Sequence, residues 1–378
     1  MPESKRWSLV SIVILNFNGK NYLEKCISSV LETNYPNFEV ILVDNASTDG
    51  SVNLIEQSFG SDNRLKIIRN NKNSGFADGN NVGFSNSNGS YIAFLNSDTI
   101  VDKNWLTIII NAFNNDKTIG LAQSLLLRMG TGILYRDAEG SKIDSAGVLL
   151  SDYLSYYYAI RDTSFLNNFQ YIYEVSSVSG AAMIVDRKIC DRMGLFDPLL
   201  PFYYDDLLLS LKTWLAGKRV VIVPQSVVYH IGSEATRSVA KGQGAWYYFC
   251  VFHGLRGKIC LIFDVYERLG DLMKALFIFG FSLFEDLFYH LQTKNIKGVS
   301  AQTDTIKWVL RNFGHIWRNR LTRWSNAKIS PDALIAKFIR INLSNQSIYI
   351  LPFKRRGQYL LPLAKKYENS LIQSAQKS

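Results

Sequence analysis

The chain has 378 residues, of which 47% are hydrophobic. That is enough for one large domain, or a catalytic domain with a smaller appendage, and it excludes disorder over most of the length. Lys and Arg outnumber Asp and Glu by 42 to 32, a formal charge of +10, so the expected partner is anionic: nucleic acid, acidic lipid or a phosphorylated substrate.

The four cysteines, Cys26, Cys190, Cys250 and Cys260, form neither a CxxC pair nor a disulfide ladder, which points to a reducing compartment and argues against a zinc site. The polar start, residues 1–7, and the short apolar run 9–15 lack the pattern of a secretory signal, so a cytoplasmic location is expected.

From Trp7 to about Gly232, short apolar runs alternate with amphipathic stretches, the pattern of a parallel sheet covered by helices. Runs 9–15, 39–43, 65–69 and 91–95 read as strands. Residues 20–31 read as a helix, with Tyr22, Leu23, Cys26, Ile27 and Val30 near helical spacing. Ligands of such a unit sit beyond the carboxyl ends of the strands. Three polar loops fall there: Asn16-Phe17-Asn18-Gly19, the stretch from Asp44 to Gly50, and Asn96-Ser97-Asp98. Ser47, Thr48, Asp49 and Gly50 equally suit plain turn and cap chemistry.

Three constellations could carry chemistry. Asp98 follows a strand and a turn that aim its carboxylate off the sheet edge, where it can hold Mg2+ or Mn2+ together with substrate phosphate oxygens, or simply cap a turn. Asp205 and Asp206 follow Phe202-Tyr203-Tyr204 and open an amphipathic stretch. Negative charge at a helix N-terminus would account for them, and a partly desolvated general base would too. His230 ends the strand-like Val227-Val228-Tyr229 and is one of four histidines. It could complete a metal site, while Arg237 beyond it could clamp phosphate oxygens.

After about residue 240 the character changes, with Trp246-Tyr247-Tyr248-Phe249, a Phe- and Leu-rich stretch from Lys258 to Leu291, and a basic stretch from Lys307 to Arg323. Its longest apolar run, 275–284, is too short to span a bilayer. Two readings remain open: helices lying in a membrane interface, with Lys274, Lys294, Lys297, Arg311, Arg318, Arg320 and Arg323 toward anionic headgroups, or a helical bundle packed on the first region.

Taken in order, these pieces resemble the family 2 inverting glycosyltransferases of GT-A fold, above all the rhamnosyltransferase-like branch. Residues 10–18 are similar to the family's first strand and nucleotide-contacting turn. Val43 to Ser51 is close to "VDNxSxDGS", Asn73 to Gly83 to "NxGFAxGxNxG", and Leu95-Asn96-Ser97-Asp98 stands where the family carries its DxD motif. Tyr204-Asp205-Asp206-Leu207-Leu208-Leu209 resembles "FEDVDL", and Val227 to His230 the strand that brings in a metal-contacting His. The likeness covers about residues 8–235. It departs at Asp205, which replaces Glu, and at Leu208, which replaces an Asp.

The resemblance implies an α/β, Rossmann-like fold with a mixed central sheet flanked by helices and a mostly helical C-terminal extension. Its expected regions are a catalytic domain at 1–240, with a nucleotide half at 8–127 and an acceptor half at 128–240, and an extension at 241–378. It also implies a donor site of Asn16, Asn18, Asp44, Ser47, Gly75, Asn80, Asn96, Asp98 and Arg237, a metal at Asp98 and His230, and Asp206, beside Asp205, as general base. The expected donor is a nucleotide-diphosphate sugar, dTDP-rhamnose-like or a UDP-sugar. The acceptor would be a glycan or a polyprenyl-diphosphate-linked oligosaccharide at the anionic inner face of the cell membrane. A degenerate scaffold and a sugar nucleotidyltransferase are the rivals; nucleic-acid binding has no supporting motif.

Overall fold

The computed structural model describes residues 7–129, 143–150, 156–158, 171–231 and 242–338. Strands β1 (Val10–Asn16), β2 (Phe38–Asp44), β3 (Leu65–Arg69) and β4 (Tyr91–Asn96) run parallel in the order β3-β2-β1-β4. Between them lie α1 (Leu23–Leu31), α2 (Ser51–Phe59) and α3 (Gly75–Ser85). All four expected strands form, within a residue at each end. The first helix starts at Leu23 and not at residue 20, because a turn closes first: the N–H groups of Tyr22 and Leu23 both donate to the Gly19 carbonyl.

Beyond β4 come β5 (Thr99–Val101), α4 (Trp105–Asn115), β6 (Ile119–Arg128), β7 (Ile143–Ser145), the β8 (Val148–Leu150) and β9 (Tyr156–Tyr158) hairpin, and β10 (Tyr173–Glu174). Then follow β11 (Ala182–Asp186), α5 (Arg187–Met193), α6 (Asp205–Leu215) and β12 (Arg219–His230). Strand β11 pairs antiparallel with both β4 and β6, and β12 runs parallel to β6, so the sheet is mixed. Pro224 interrupts β12, where the pairing to β6 slips between Val223 and Val227. That offset lets the strand's last three residues pair with β5 and carries His230 alongside Asp98.

Side-chain alternation divides the core. Ile12 and Ile14 of β1, Val40 and Leu42 of β2, and Ala93 and Leu95 of β4 pack with α1 and α4 on one face. Val13, Ile41, Val43, Ile92 and Phe94 face the other way, toward α6. Helix α3 lies close on this second side because its glycines allow it: a Cβ on Gly79 would overlap Leu15, and one on Gly83 would overlap Val13.

The C-terminal region forms α7 (Gln243–Val265), α8 (Leu269–Gln292), α9 (Ile296–Ser325) and α10 (Pro331–Phe338). Ile259, Leu261 and Phe263 of α7 and Ile316 of α9 belong to the same buried cluster as Trp214 of α6, so these helices share the second core. Among the described residues no helix is long and apolar enough to cross a membrane. Two cations expected at headgroups are buried instead: Arg323 pairs with Asp264, and Arg320 donates to the carbonyls of Phe263, Tyr266 and Glu267. Both hold α7 to α9.

Candidate active site

The first loops are stitched to one another. Asn16 at the end of β1 donates from Nδ2 to Asp44 (3.2 Å), Ser47 (3.0 Å) and Ser51 (3.0 Å), and its Oδ1 is buried without a partner. Asn18, in a left-handed conformation at φ 53°, donates its N–H to Ser47 Oγ and accepts from the N–H of Thr48, both at 2.9 Å. The Ser47 N–H in turn donates to the Asp44 carboxylate. Asn16, Asn18, Asp44 and Ser47 are thus one cluster beyond adjacent parallel strand ends. Asp49 meets the cap chemistry considered for this loop, accepting from the N–H groups of Lys20 and Ser51.

Asn45 has no role in the sequence reading, yet it ties this cluster to the next loop. Fully buried, it donates from Nδ2 to Asn73 and to the Gly75 carbonyl, and its Oδ1 accepts from Asn70 (2.9 Å) and Ser74. Gly75, at φ 85°, lets the start of α3 pack on Pro201, whose carbonyl accepts from the Phe76 N–H; a Cβ on Gly75 would lie 2.6 Å from Pro201 Cβ. Asn80 is buried and donates to the Phe76 carbonyl of its own helix. Gly75 and Asn80 therefore shape the wall where α3 meets the Pro201 segment. Arg237 lies outside the described residues.

The second cluster centres on Asp98. The turn after β4 is fixed by backbone: the Asn96 N–H donates to Ala181, Thr99 Oγ donates to the Asn96 carbonyl, and the Ile231 N–H donates to the Asp98 carbonyl. Asp98 is 1% exposed, and neither carboxylate oxygen has a hydrogen-bond partner. His230 Nε2 is also buried and unsatisfied, 3.2 Å from Asp98 Oδ1. The other ring nitrogen, Nδ1, sits 2.8 Å from Asp144, which Arg128 meets at 3.2 Å.

Burial opposes charge on His230, but the carboxylates of Asp98 and Asp144 outweigh it and raise its pKa to about 10. Burial would raise Asp144, and His230 and Arg128 bring it below the ordinary carboxylate range. Two oxygens and a nitrogen, buried with no aligned hydrogen bond and with a carboxylate fixing the far side of the imidazole, form a donor set that fits a divalent cation, which would displace the Nε2 proton on binding. Among the described residues no group of three or more His, Cys, Asp and Glu side chains forms a complete metal site, so any cation here would draw its remaining ligands from substrate and water. No sequence motif marks Asp144, because it sits where the β6–β7 pairing shifts register, a long-range feature.

The third cluster opens α6. Tyr203 and Tyr204 both adopt positive φ, 61° and 65°. That conformation is costly for bulky residues and persists only where the surroundings impose it. Here α7 imposes it. Arg256 donates to the Leu199 carbonyl, Tyr203 OH lies 3.3 Å from Cys250 Sγ, and the Tyr204 ring lies against Gly257, where a Cβ would come within 2.5 Å of Tyr204 Cβ.

This turn presents two carboxylates in different settings. Asp206 accepts the Gly180 N–H at 2.9 Å on one oxygen and its neighbour Leu207's N–H at 2.8 Å on the other. Gly180 in turn precedes Ala181, whose carbonyl accepts from Asn96, so Asp206 is anchored to the segment that frames the Asp98 turn. Burial raises the Asp206 pKa, and those two N–H groups restrain it. Asp205 is 8% exposed; burial and the neighbouring Asp206 charge push it well above the usual range. Both carboxyls are raised, Asp205 the further, so of the pair Asp206 is the one that ionises more readily. Leu208 is buried in the second core, which explains why an apolar residue occupies that position.

Residues 11–194 match the family described as Glycosyl transferase family 2. That stretch, just under half of the chain, is similar to a family 2 glycosyl transferase domain. A Streptococcus pneumoniae protein, "Glycosyltransferase GlyG", is 32% identical over 125 residues, covering 30% of this chain and 42% of its own length. The chain spans about half or less of the length of the curated relatives it matches. Among solved structures, "GalNAc-T7 with UDP, GalNAc and Mn2+" superposes at TM-score 0.60 with 18% identity, over 92% of this chain and 59% of that one. "Mannosyltransferase PcManGT from Pyrobaculum calidifontis in complex with GDP-Man and Mn2+" does so at 0.50 with 15% identity, over 89% and 88%. These two likenesses establish the fold, and the stretch similar to family 2 spans the strand-end loops and the Asp98 turn but ends before Asp206 and His230.

Proposed function

We propose that the protein transfers a sugar, with inversion, from a nucleoside-diphosphate sugar to a hydroxyl of a glycan or polyprenyl-diphosphate-linked acceptor. The observation that carries this reading is the buried, unsatisfied trio of Asp98 Oδ1, Asp98 Oδ2 and His230 Nε2 beside the loops that follow parallel strands. Asn16, Asn18, Asp44 and Ser47 receive the nucleoside, with a dTDP-rhamnose-like or UDP-sugar donor. Asp98 and His230 hold Mg2+ or Mn2+. When bound, the cation neutralises charge on the departing diphosphate, so no general acid is needed on the leaving side.

Asp206 then takes the proton. Its two oxygens are aimed by the N–H groups of Gly180 and Leu207, and each keeps a lone pair for an acceptor hydroxyl. As the O–H bond breaks, the hydroxyl oxygen attacks the anomeric carbon on the face opposite the diphosphate. Arg237 is assigned to the diphosphate oxygens. The acceptor's lipid diphosphate places the protein on the anionic inner face of the cell membrane.

Asp206→Asn removes the base while keeping the shape of the turn. We expect transfer to fall about 10^3-fold, with donor affinity nearly unchanged. Turnover within a few-fold of the parent protein would remove Asp206 from the mechanism.

A further inference from the structure

Helix α8 buries Leu272, Ala275 and Phe279 against the rest of the molecule and leaves a second apolar stripe to solvent. Met273, Phe277, Phe281, Phe284, Phe288 and Leu291 are 47–76% exposed and recur every three or four residues, so they share one side of the helix along most of its length. At 3.6 residues per turn Asp271 points away from this side, and Glu285 and Asp286 are half-buried. Lys274 borders the stripe and is exposed, while Glu285 on the same flank is half-buried and engaged by other groups.

Helix α9, three residues later, repeats the pattern. Ile306, Leu310, Phe313, Trp317 and Leu321 are 38–74% exposed, with Lys307, Arg311 and Arg318 exposed along one flank. The one acidic residue of α9, Asp304, is engaged by Tyr248, Ser300 and Lys307. Soluble surfaces seldom carry so long a run of exposed Phe, Leu and Ile without a partner.

Charge decides what that partner is. Pairing two copies about a two-fold axis would set Lys274, Arg311 and Arg318 against like charges. The remaining chain, residues 339–378, contains seven Lys and Arg against one Glu, so it repels the same flank and adds to attraction for an anionic surface. We infer that the outer stripes of α8 and α9 lie in the headgroup boundary of an anionic lipid bilayer, with Phe277, Phe281, Phe284 and Phe288 inserted and Lys274, Arg311 and Arg318 on headgroup phosphates. Apolar insertion beside snorkelling cations is the chemistry of an interfacial helix. The inference rests on the membrane partner proposed above and is independent of sugar transfer.

The test is co-sedimentation of the full chain with phosphatidylcholine vesicles, with and without phosphatidylglycerol, together with a benzoylphenylalanine photo-crosslinker at position 284. The parent protein binds the anionic vesicles and crosslinks to lipid. Phe277→Ser with Phe284→Ser lowers binding at least about tenfold, while melting temperature and nucleotide-induced stabilisation stay unchanged because both residues are exposed. Arg311→Glu with Arg318→Glu lowers binding to phosphatidylglycerol vesicles alone. Absence of vesicle binding, undiminished binding by the Phe variant, or crosslinks to a second copy or to residues 339–378 would each overturn the inference. Because vesicle binding is read without a sugar donor, a parent protein that turns over its donor yet fails to bind anionic vesicles would count against this surface and not against the transfer reaction.

Discussion

The strand-end loops and the C-terminal helices serve the same site by different means. The loops after β1, β2 and β4 bring their own polar side chains, linked over short distances, as Asn16, Asp44, Ser47 and Ser51 are. Helix α7 brings no expected site residue, yet it holds the left-handed turn of Tyr203 and Tyr204 through Cys250, Arg256 and Gly257. One region supplies groups, and the other supplies the backbone position of a group. Motif content therefore understates how much of the chain the candidate site needs.

Substitutions can break that division or sharpen it. After Asp206, the largest effect is expected at the outer end of the Asp98 cluster. Asp144→Asn keeps the shape but weakens the hold on the His230 ring, and should lower divalent-metal affinity by about 10–100-fold, read by titrating Mn2+ against turnover. Metal affinity unchanged within twofold would mean that Asp144 is only structural. On the helical side, Gly257→Ala forces the Tyr204 ring aside and should lower kcat about tenfold or more with donor affinity intact, since small misplacements of a catalytic group are costly. If donor affinity falls equally, α7 supports the whole domain and the two regions do not divide the work as argued.

A smaller effect concerns Asp205. It holds its proton more tightly when folded than unfolded, so it favours the fold below the ordinary carboxylate range and loses that contribution as pH rises through its raised folded value. Asp205→Asn should raise the melting temperature by about 2 °C or more at pH 8 and by less at pH 4. An equal or negative change at pH 8 would show that the charge is accommodated in the fold. The same burial raises Asp206, so the acid limb of the kcat/KM profile should lie above the unperturbed carboxylate value of about 4.

The parts legible in the sequence are those where a local pattern and a local structure coincide. The strand at Leu65–Arg69 shows in its composition, and Asp98 stands one turn beyond a strand of unbroken apolar residues. The role of Asn45 and the place of Asp144 are not legible, because each depends on partners from other strands and loops: Asn70, Asn73 and Ser74 for one, His230 for the other. Arg320 and Arg323 misled for a related reason. A basic run reads as a solvated face, and only the packing of α9 on α7 shows that their charge is spent on Asp264 and on carbonyls.

The central claim is that the Asp98 cluster takes a metal-bound nucleoside diphosphate. Its most direct test is the thermal stability of the purified protein against a panel of nucleoside diphosphates, with and without Mn2+, for the parent protein and for Asp98→Ala. Stabilisation by one nucleotide base is expected, dependent on the metal and lost in the variant. Stabilisation that ignores the metal, or survives in Asp98→Ala, would contradict that claim.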